Sequence, residues 1–233
     1  MKDKIPARNG SFSDADLAAD CDTHADALEA NLDALKEEGM TTKMLTDFRT
    51  SITSFRGLPT ADGLTKNVTA AVGKRDTALE AARSGLRRAS QPIGRAFGNE
   101  SAEYRSFQVG EVSRKTVTEV LNLLLTVPTV GAAYLTSPQA LAEGYSEARL
   151  TPLPGLYQDL FALEAAVGKA ETAAEQATRT RVLAYNALNT LCSAYCARGY
   201  DHFVELDASK AKLFVRNPAS SADTPPPTPG LAA

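Results

Sequence analysis

Tryptophan is absent from this chain and histidine occurs only twice, at His24 and His202, so the stock of general bases is small. No G-x-S-x-G elbow, phosphate-binding P-loop, dinucleotide fingerprint or C-x-x-C pair is present, and neither histidine has a glutamate three residues before it. These absences remove the common nucleophilic, nucleotide-dependent and carboxylate di-metal chemistries. The expectation is a protein that is not an enzyme, with no catalytic residue and no cofactor.

Cysteine is also scarce: three residues, an odd number, do not build a disulfide framework, which fits a reducing compartment. A formal net charge of -3, with a pI near 5.5, gives no global attraction to phosphate backbones, so no nucleic acid partner is expected. The opening MKDKIPARNG is charged, contains a proline and lacks the apolar core of a secretory signal. A cytoplasmic location is expected, with leaderless export left open. The most apolar stretch, Val117 to Leu135, is interrupted by Glu119, Asn122, Pro128 and Gly131, and its charge-free part is too short for a spanning helix.

What the chain does contain is 233 residues, 43% of them hydrophobic, enough to bury a real core. Aromatics are only 6%, so that core must come from Leu, Ala and Val on closely approaching helices. The segment AAVGKRDTALEA from Ala70 returns as AAVGKAETAAEQ from Ala165, which reads as an internal duplication. Both copies lie in alanine-rich helical patterns, each with an interior glycine, Gly73 and Gly168, that predicts a close helix crossing. The fold class expected is all-α: an elongated up-and-down helical bundle of four long helices plus short connecting helices, built from two duplicated helical halves. Residues 1–11 form an N-terminal extension, 12–110 the first half, 111–206 the second half of the same bundle, and 207–233 a C-terminal extension with a flexible proline-rich tail.

Helical spacing locates the elements. Ser13 caps the first long helix, with Phe12 stapled onto Leu17, and Leu17, Cys21, His24 or Ala25, Leu28, Leu32 and Leu35 face inward as far as Gly39. A shorter helix follows a Thr41 or Thr42 cap, with Phe48, Ile52 and Phe55 on one face. The second long helix runs from Thr60 or Leu64 to Phe97, with a bend at Pro92. The third opens at Ser113 and is halted by Pro128; a segment from Pro138 to Leu150 then stands where the short helix stood in the first half. The fourth covers Leu156 to Arg198 and stops at Gly199, and Lys212 to Arg216 is an extended piece.

Charge is divided between elements. The first long helix carries nine acids from Asp14 to Glu38 against Lys36, while the second carries Lys66, Lys74, Arg75, Arg83, Arg87, Arg88 and Arg95. The two are therefore expected to lie near each other and choose each other by charge. The segment FGNESAEY, Phe97 to Tyr104, followed by VGEVSRK, resembles one found in uncharacterised bacterial all-helical proteins; the resemblance implies a helical fold and no activity.

One constellation carries chemistry. Cys21 and His24 lie three apart on the first helix, and Cys192 and Cys196 lie four apart near the end of the last, so each pair shares a helical face. If the first and last helices are antiparallel neighbours, the four converge on a tetrahedral Cys3His zinc site. The alternative, taken as the expectation, is that free cysteines fill the core as small hydrophobes and no metal is held. His202 lies outside that cluster, as a surface or capping group. The function expected is a non-catalytic structural or protein-interaction bundle, with a protein partner or self-assembly. A membrane-active, pore-forming protein using Val117 to Leu135 and a metal-binding bundle are the alternatives.

Overall fold

A computed structural model describes residues 5–216, and the proline-rich tail expected from Ala219 onward lies outside the described residues. The protein is an all-α helical bundle; no strand occurs among the described residues. Its helices are α1 (Asp14–Ala30), α2 (Leu32–Leu35), α3 (Thr42–Arg56), α4 (Ala61–Phe97), α5 (Ala102–Ser106), α6 (Val117–Ala132), α7 (Pro138–Ala142), α8 (Leu153–Phe203) and α9 (Ala208–Lys212). Single 3-10 turns at Val112–Arg114 and Glu147–Arg149 complete the order. Contacts divide the chain into two compact units, Met1–Thr60 with Gln176–Ala233, and Ala61–Glu175. The 51-residue α8 supplies the second unit up to Glu175 and the first from Gln176. Each repeat-defined half, 12–110 and 111–206, contributes residues to both units.

In the first unit, α1 begins where Ser13 accepts a hydrogen bond from the Asp16 amide, and α3 begins where Thr41 accepts one from Met44. Leu17, Cys21, Ala25 and Leu28 of α1 meet Phe48, Ile52 and Phe55 of α3 and Tyr185, Leu188, Cys192 and Tyr195 of α8 in one continuous core. Phe48 lies edge-on to Tyr195, and full burial of a ring of this size contributes about 1.5–3 kcal/mol. The extension before α1 is not loose: Asn9 donates to the side chain and the carbonyl of Asn186, and Arg8 lies over the Tyr185 ring.

The acids of α1 pair differently from the sequence expectation. Asp26 and Glu29 bind Arg49 and Asp22 binds Arg56, both on α3, while Asp14 binds Arg181 of α8. The bases of α4 find acids elsewhere, Arg75 at Asp76 and Glu164, Arg83 at Glu80, and Arg95 at Glu143. Charge sets register, but a helix takes the nearest complement, and for α1 that is the hairpin neighbour α3.

In the second unit, Leu79, Ala82, Leu86, Ala89 and Ile93 of α4 pack with Val120, Leu124 and Val127 of α6 and with Leu153 and Leu160 of α8. Gly98, at φ +91°, ends α4, Ser101 caps α5, and Tyr104 packs back over Gly94, the corner expected of FGNESAEY. α6 starts at Thr116 in place of Ser113, because Thr116 and Glu119 form a reciprocal capping box and Val112–Arg114 is a 3-10 turn. Pro128 does not halt α6, which continues to Ala132, where Gly131 lies against Tyr145 and Leu150. The stretch expected to mirror α3 holds only α7 and a 3-10 turn.

Both repeat copies are helical, and in both a threonine four residues on bonds the glycine carbonyl: Thr77 to Gly73 at 3.0 Å and Thr172 to Gly168 at 2.9 Å. Neither glycine marks a close crossing, since a Cβ at either would meet nothing within 4 Å. Gly199 also departs from expectation. It lies inside α8, and the Phe214 ring occupies the place where its Cβ would stand, 2.5 Å away. That ring comes from residues expected to be extended; Lys212 instead ends α9, and Leu213 and Phe214 turn back onto α8.

Candidate functional site

The constellation of cysteines and His24 assembles inside the first unit. On α1 the helical period sets Cys21 and His24 inward beside Asp20; on α8 it sets Cys192 and Cys196 on one face. The turn after α9 adds Arg216 and the Leu213 carbonyl. Cys21 and Cys192 are 0% exposed, and Cys196 and His24 are buried with them.

Asp20, Cys21 and Cys192 form the tightest set, their ligand atoms all within 4.8 Å of one another. Cys196 stands beside it, its Sγ 4.0 Å from Cys192 Sγ, and His24 reaches it through Asp20, with Nε2 3.2 Å from Oδ1. Thus one residue from each spaced pair, Cys21 and Cys192, meets with Asp20, and Cys196 and His24 stand next to that set. Asp20 was hidden in the acidic run of α1, and Arg216 in a segment read as extended; only the fold brings them in.

The histidine tautomer follows from its partners. His24 Nδ1 lies 3.0 Å from the Leu213 carbonyl, which can only accept, so Nδ1 carries a hydrogen and Nε2 faces Asp20. Burial opposes a charge on His24, but the Asp20 carboxylate outweighs it and holds the imidazolium above the usual histidine range. Burial likewise works against the Asp20 carboxylate, and His24 and Arg216 more than offset it, so Asp20 titrates below the usual range. Arg216 Nε and Nη2 lie 2.8 and 2.7 Å from Asp20 Oδ2, and Nη1 binds the Asn189 carbonyl and Ser193 Oγ.

The three sulfurs are buried side by side. Hydrogen bonds from Cys196 and Cys21 draw the Cys192 thiol below its usual range, against burial and with help from Arg216 and His24. The same arrangement pushes the Cys21 and Cys196 thiols up, through the neighbouring Cys192 and through burial. A protonated Cys192 would instead donate to Asp20 Oδ2, 4.0 Å away.

This donor set suits a thiophilic ion. Zinc takes sulfur at about 2.3 Å and nitrogen or oxygen at about 2.0–2.2 Å, which at tetrahedral angles places sulfurs about 3.8 Å apart and N and O about 3.3 Å apart. The same-helix pairs Cys192–Cys196 and Asp20–His24, at 4.0 Å and 3.2 Å, are close to these values, and the cross-helix set of Asp20, Cys21 and Cys192 lies within 4.8 Å. A histidine whose second nitrogen donates to a backbone carbonyl is also the arrangement that orients metal-binding imidazoles.

His202 lies outside the cluster, 3.4 Å from Glu38 and edge-on to Phe203. No helix among the described residues is long and apolar enough to cross a membrane. No protein-family model, curated protein or solved structure matches this chain.

Proposed function

We propose that the chain is a non-catalytic helical-bundle protein with a zinc-class metal site, in which Asp20, Cys21 and Cys192 bind the ion and Cys196 or His24 completes the shell. One observation carries the reading: ligand atoms from α1 and α8, far apart in sequence, converge in the core, those of Asp20, Cys21 and Cys192 lying within 4.8 Å of one another. Burial supports a structural role over catalysis. The surface grooves at Phe55 to Leu191, at Gly85 to Leu156 and around Asn99 to Gly110 are lined by none of the cluster residues. A bound ion would tie α1 to α8 and stabilise the fold by about 2.7 kcal/mol at a free concentration one hundred times Kd.

Metal analysis of protein purified without a histidine tag tests this, with cobalt substitution as the spectroscopic probe. About one ion per chain, with sulfur-to-cobalt charge-transfer absorption that disappears in Cys192→Ser, is the expected result. Metal well below one per chain, after reconstitution under reducing conditions, would remove the site.

A protein-interaction role is the second reading, and one feature favours it. Phe55, Leu58, Ala184, Leu188 and Leu191 line an apolar groove of about 330 Å³ between α3 and α8, and Leu183 on α8 is exposed. Light scattering coupled to size exclusion tests self-assembly of the full chain: a monomer at all concentrations would remove self-association and leave only a foreign protein partner.

A further inference from the structure

We propose that Cys21 and Cys192 are a redox pair, closed by a hydroperoxide into a disulfide between α1 and α8 that withdraws two ligands from the metal. The metal-release half of this proposal rests on the metal site; the disulfide half does not.

Geometry selects the pair. Cys192 and Cys196 have sulfurs only 4.0 Å apart, but they stand one turn apart on the same helix. Residues at i and i+4 keep their Cβ atoms about 5–6 Å apart, whereas a disulfide needs about 3.5–4.5 Å, so that bond would require α8 to unwind. Cys21 and Cys192 sit on different helices with sulfurs within 4.8 Å, and rotation about χ1 with a small shift of α1 can bring them to bonding distance. Cys196 is then left as the odd thiol. The cluster is sealed by the C-terminal turn, and its most exposed members are the Asp20 and Arg216 side chains, each just over a tenth exposed. A small hydroperoxide can enter at that edge; a protein oxidant cannot.

The chemistry balances. One sulfur attacks the hydroperoxide, the O–O bond breaks, and an alcohol, or water when the oxidant is hydrogen peroxide, leaves with a proton as a sulfenic acid forms. The second sulfur attacks the first, the S–O bond breaks, and water departs as the disulfide closes. Two thiols are oxidised by two electrons in all, and the peroxide is reduced by two. A thiol reductant restores both thiols by disulfide exchange and leaves as its own disulfide.

The test uses the full chain, reduced, with and without zinc, exposed to hydrogen peroxide and mapped by non-reducing peptide mass spectrometry. The expected result is a Cys21–Cys192 linked peptide with Cys196 free, formed intramolecularly, with zinc released to a chromogenic chelator on the same time course and recovered after reduction. Cys196→Ser must still form the linkage and Cys21→Ser must lose it, each checked for native helicity by circular dichroism. A Cys192–Cys196 linkage, an intermolecular disulfide, or sulfinic acid without a disulfide overturns the redox pair. If the reduced chain binds no zinc yet forms the Cys21–Cys192 bond, the metal site fails and the redox pair stands; if zinc binds and no bond forms, the reverse holds.

Discussion

His24 and Leu213 are 189 positions apart, and the imidazole Nδ1 donates to the Leu213 carbonyl across 3.0 Å, so the turn after α9 fixes the ring that faces Asp20. Stability should therefore depend on pH through this histidine. Its folded pKa is raised, so it contributes stability that is complete below the unfolded value near 6.5 and is lost as pH rises through the folded value. Cys192 acts in the opposite sense, because its depressed pKa contributes stability that grows as pH rises toward the unfolded thiol value. The parent curve mixes both, so the quantity to measure is the difference between metal-free parent and His24→Gln in urea unfolding from pH 5.5 to 8.5. That difference should shrink as pH rises; one that stays constant would show that folding leaves the His24 pKa unshifted.

Arg216 closes the cluster with a single side chain that binds Asp20, Ser193 and the Asn189 carbonyl and lies over the Phe12 ring. Arg216→Ala removes the lock and leaves the Asp20 carboxylate in the core with only His24 opposite it. The expected outcome is faster labelling of native-state thiols by a maleimide, with Cys192 the first modified. Arg216→Lys should fall between the two, since an ammonium restores the charge without the forked geometry. Equal labelling rates for all three proteins would show that the turn does not guard the sulfurs.

Much of this arrangement was legible in the sequence, and the part that was not has a physical cause. Ser13 and Thr41 announce their helices because a cap is a local bond, and Leu17, Cys21, Ala25 and Leu28 announce a buried stripe because the helical period is local too. Spacing likewise put Cys21 with His24 and Cys192 with Cys196, and the fold brings the pairs together. Asp20 could not be told from its acidic neighbours, because what distinguishes it is a contact with residue 216. Gly199 and Pro128 looked like stops for the same reason: a breaker's local cost of about 1–3 kcal/mol can be outweighed by packing that sequence spacing does not show.

The apolar segment of α6 provides a test of the membrane reading. Val120, Leu123, Leu124 and Val127 are spent against α4 and its neighbours, and the helix has 16 residues, fewer than the roughly 20 a bilayer core requires. Purified protein should leave dye-loaded vesicles intact. Leu124→Asp, which sets a carboxylate at a position 1% exposed, should destabilise the protein by about 3 kcal/mol or more in urea unfolding. Dye release by the parent that disappears in Leu124→Asp would instead favour the pore-forming alternative.

Three glycines of similar appearance should respond to alanine in opposite directions. Gly73 and Gly168 are helix-interior residues where a Cβ meets open space, and the Thr77 and Thr172 hydrogen bonds to their carbonyls do not involve the side-chain position. Alanine there gains helix propensity and restricts the unfolded chain, so each substitution should stabilise by about 0.5–1 kcal/mol. Gly199 is equally helical, and the same propensity gain applies. Its Cβ, however, would lie 2.5 to 2.7 Å from three atoms of the Phe214 ring, which is itself stacked on Phe203 and cannot give way without lifting the turn that carries Leu213 and Arg216. Overpacking of this kind costs about 1–3 kcal/mol, enough to reverse the sign. Gly199→Ala should therefore lower stability and speed thiol labelling together. Stabilisation without a change in labelling would mean that Phe214 does not hold the turn against α8.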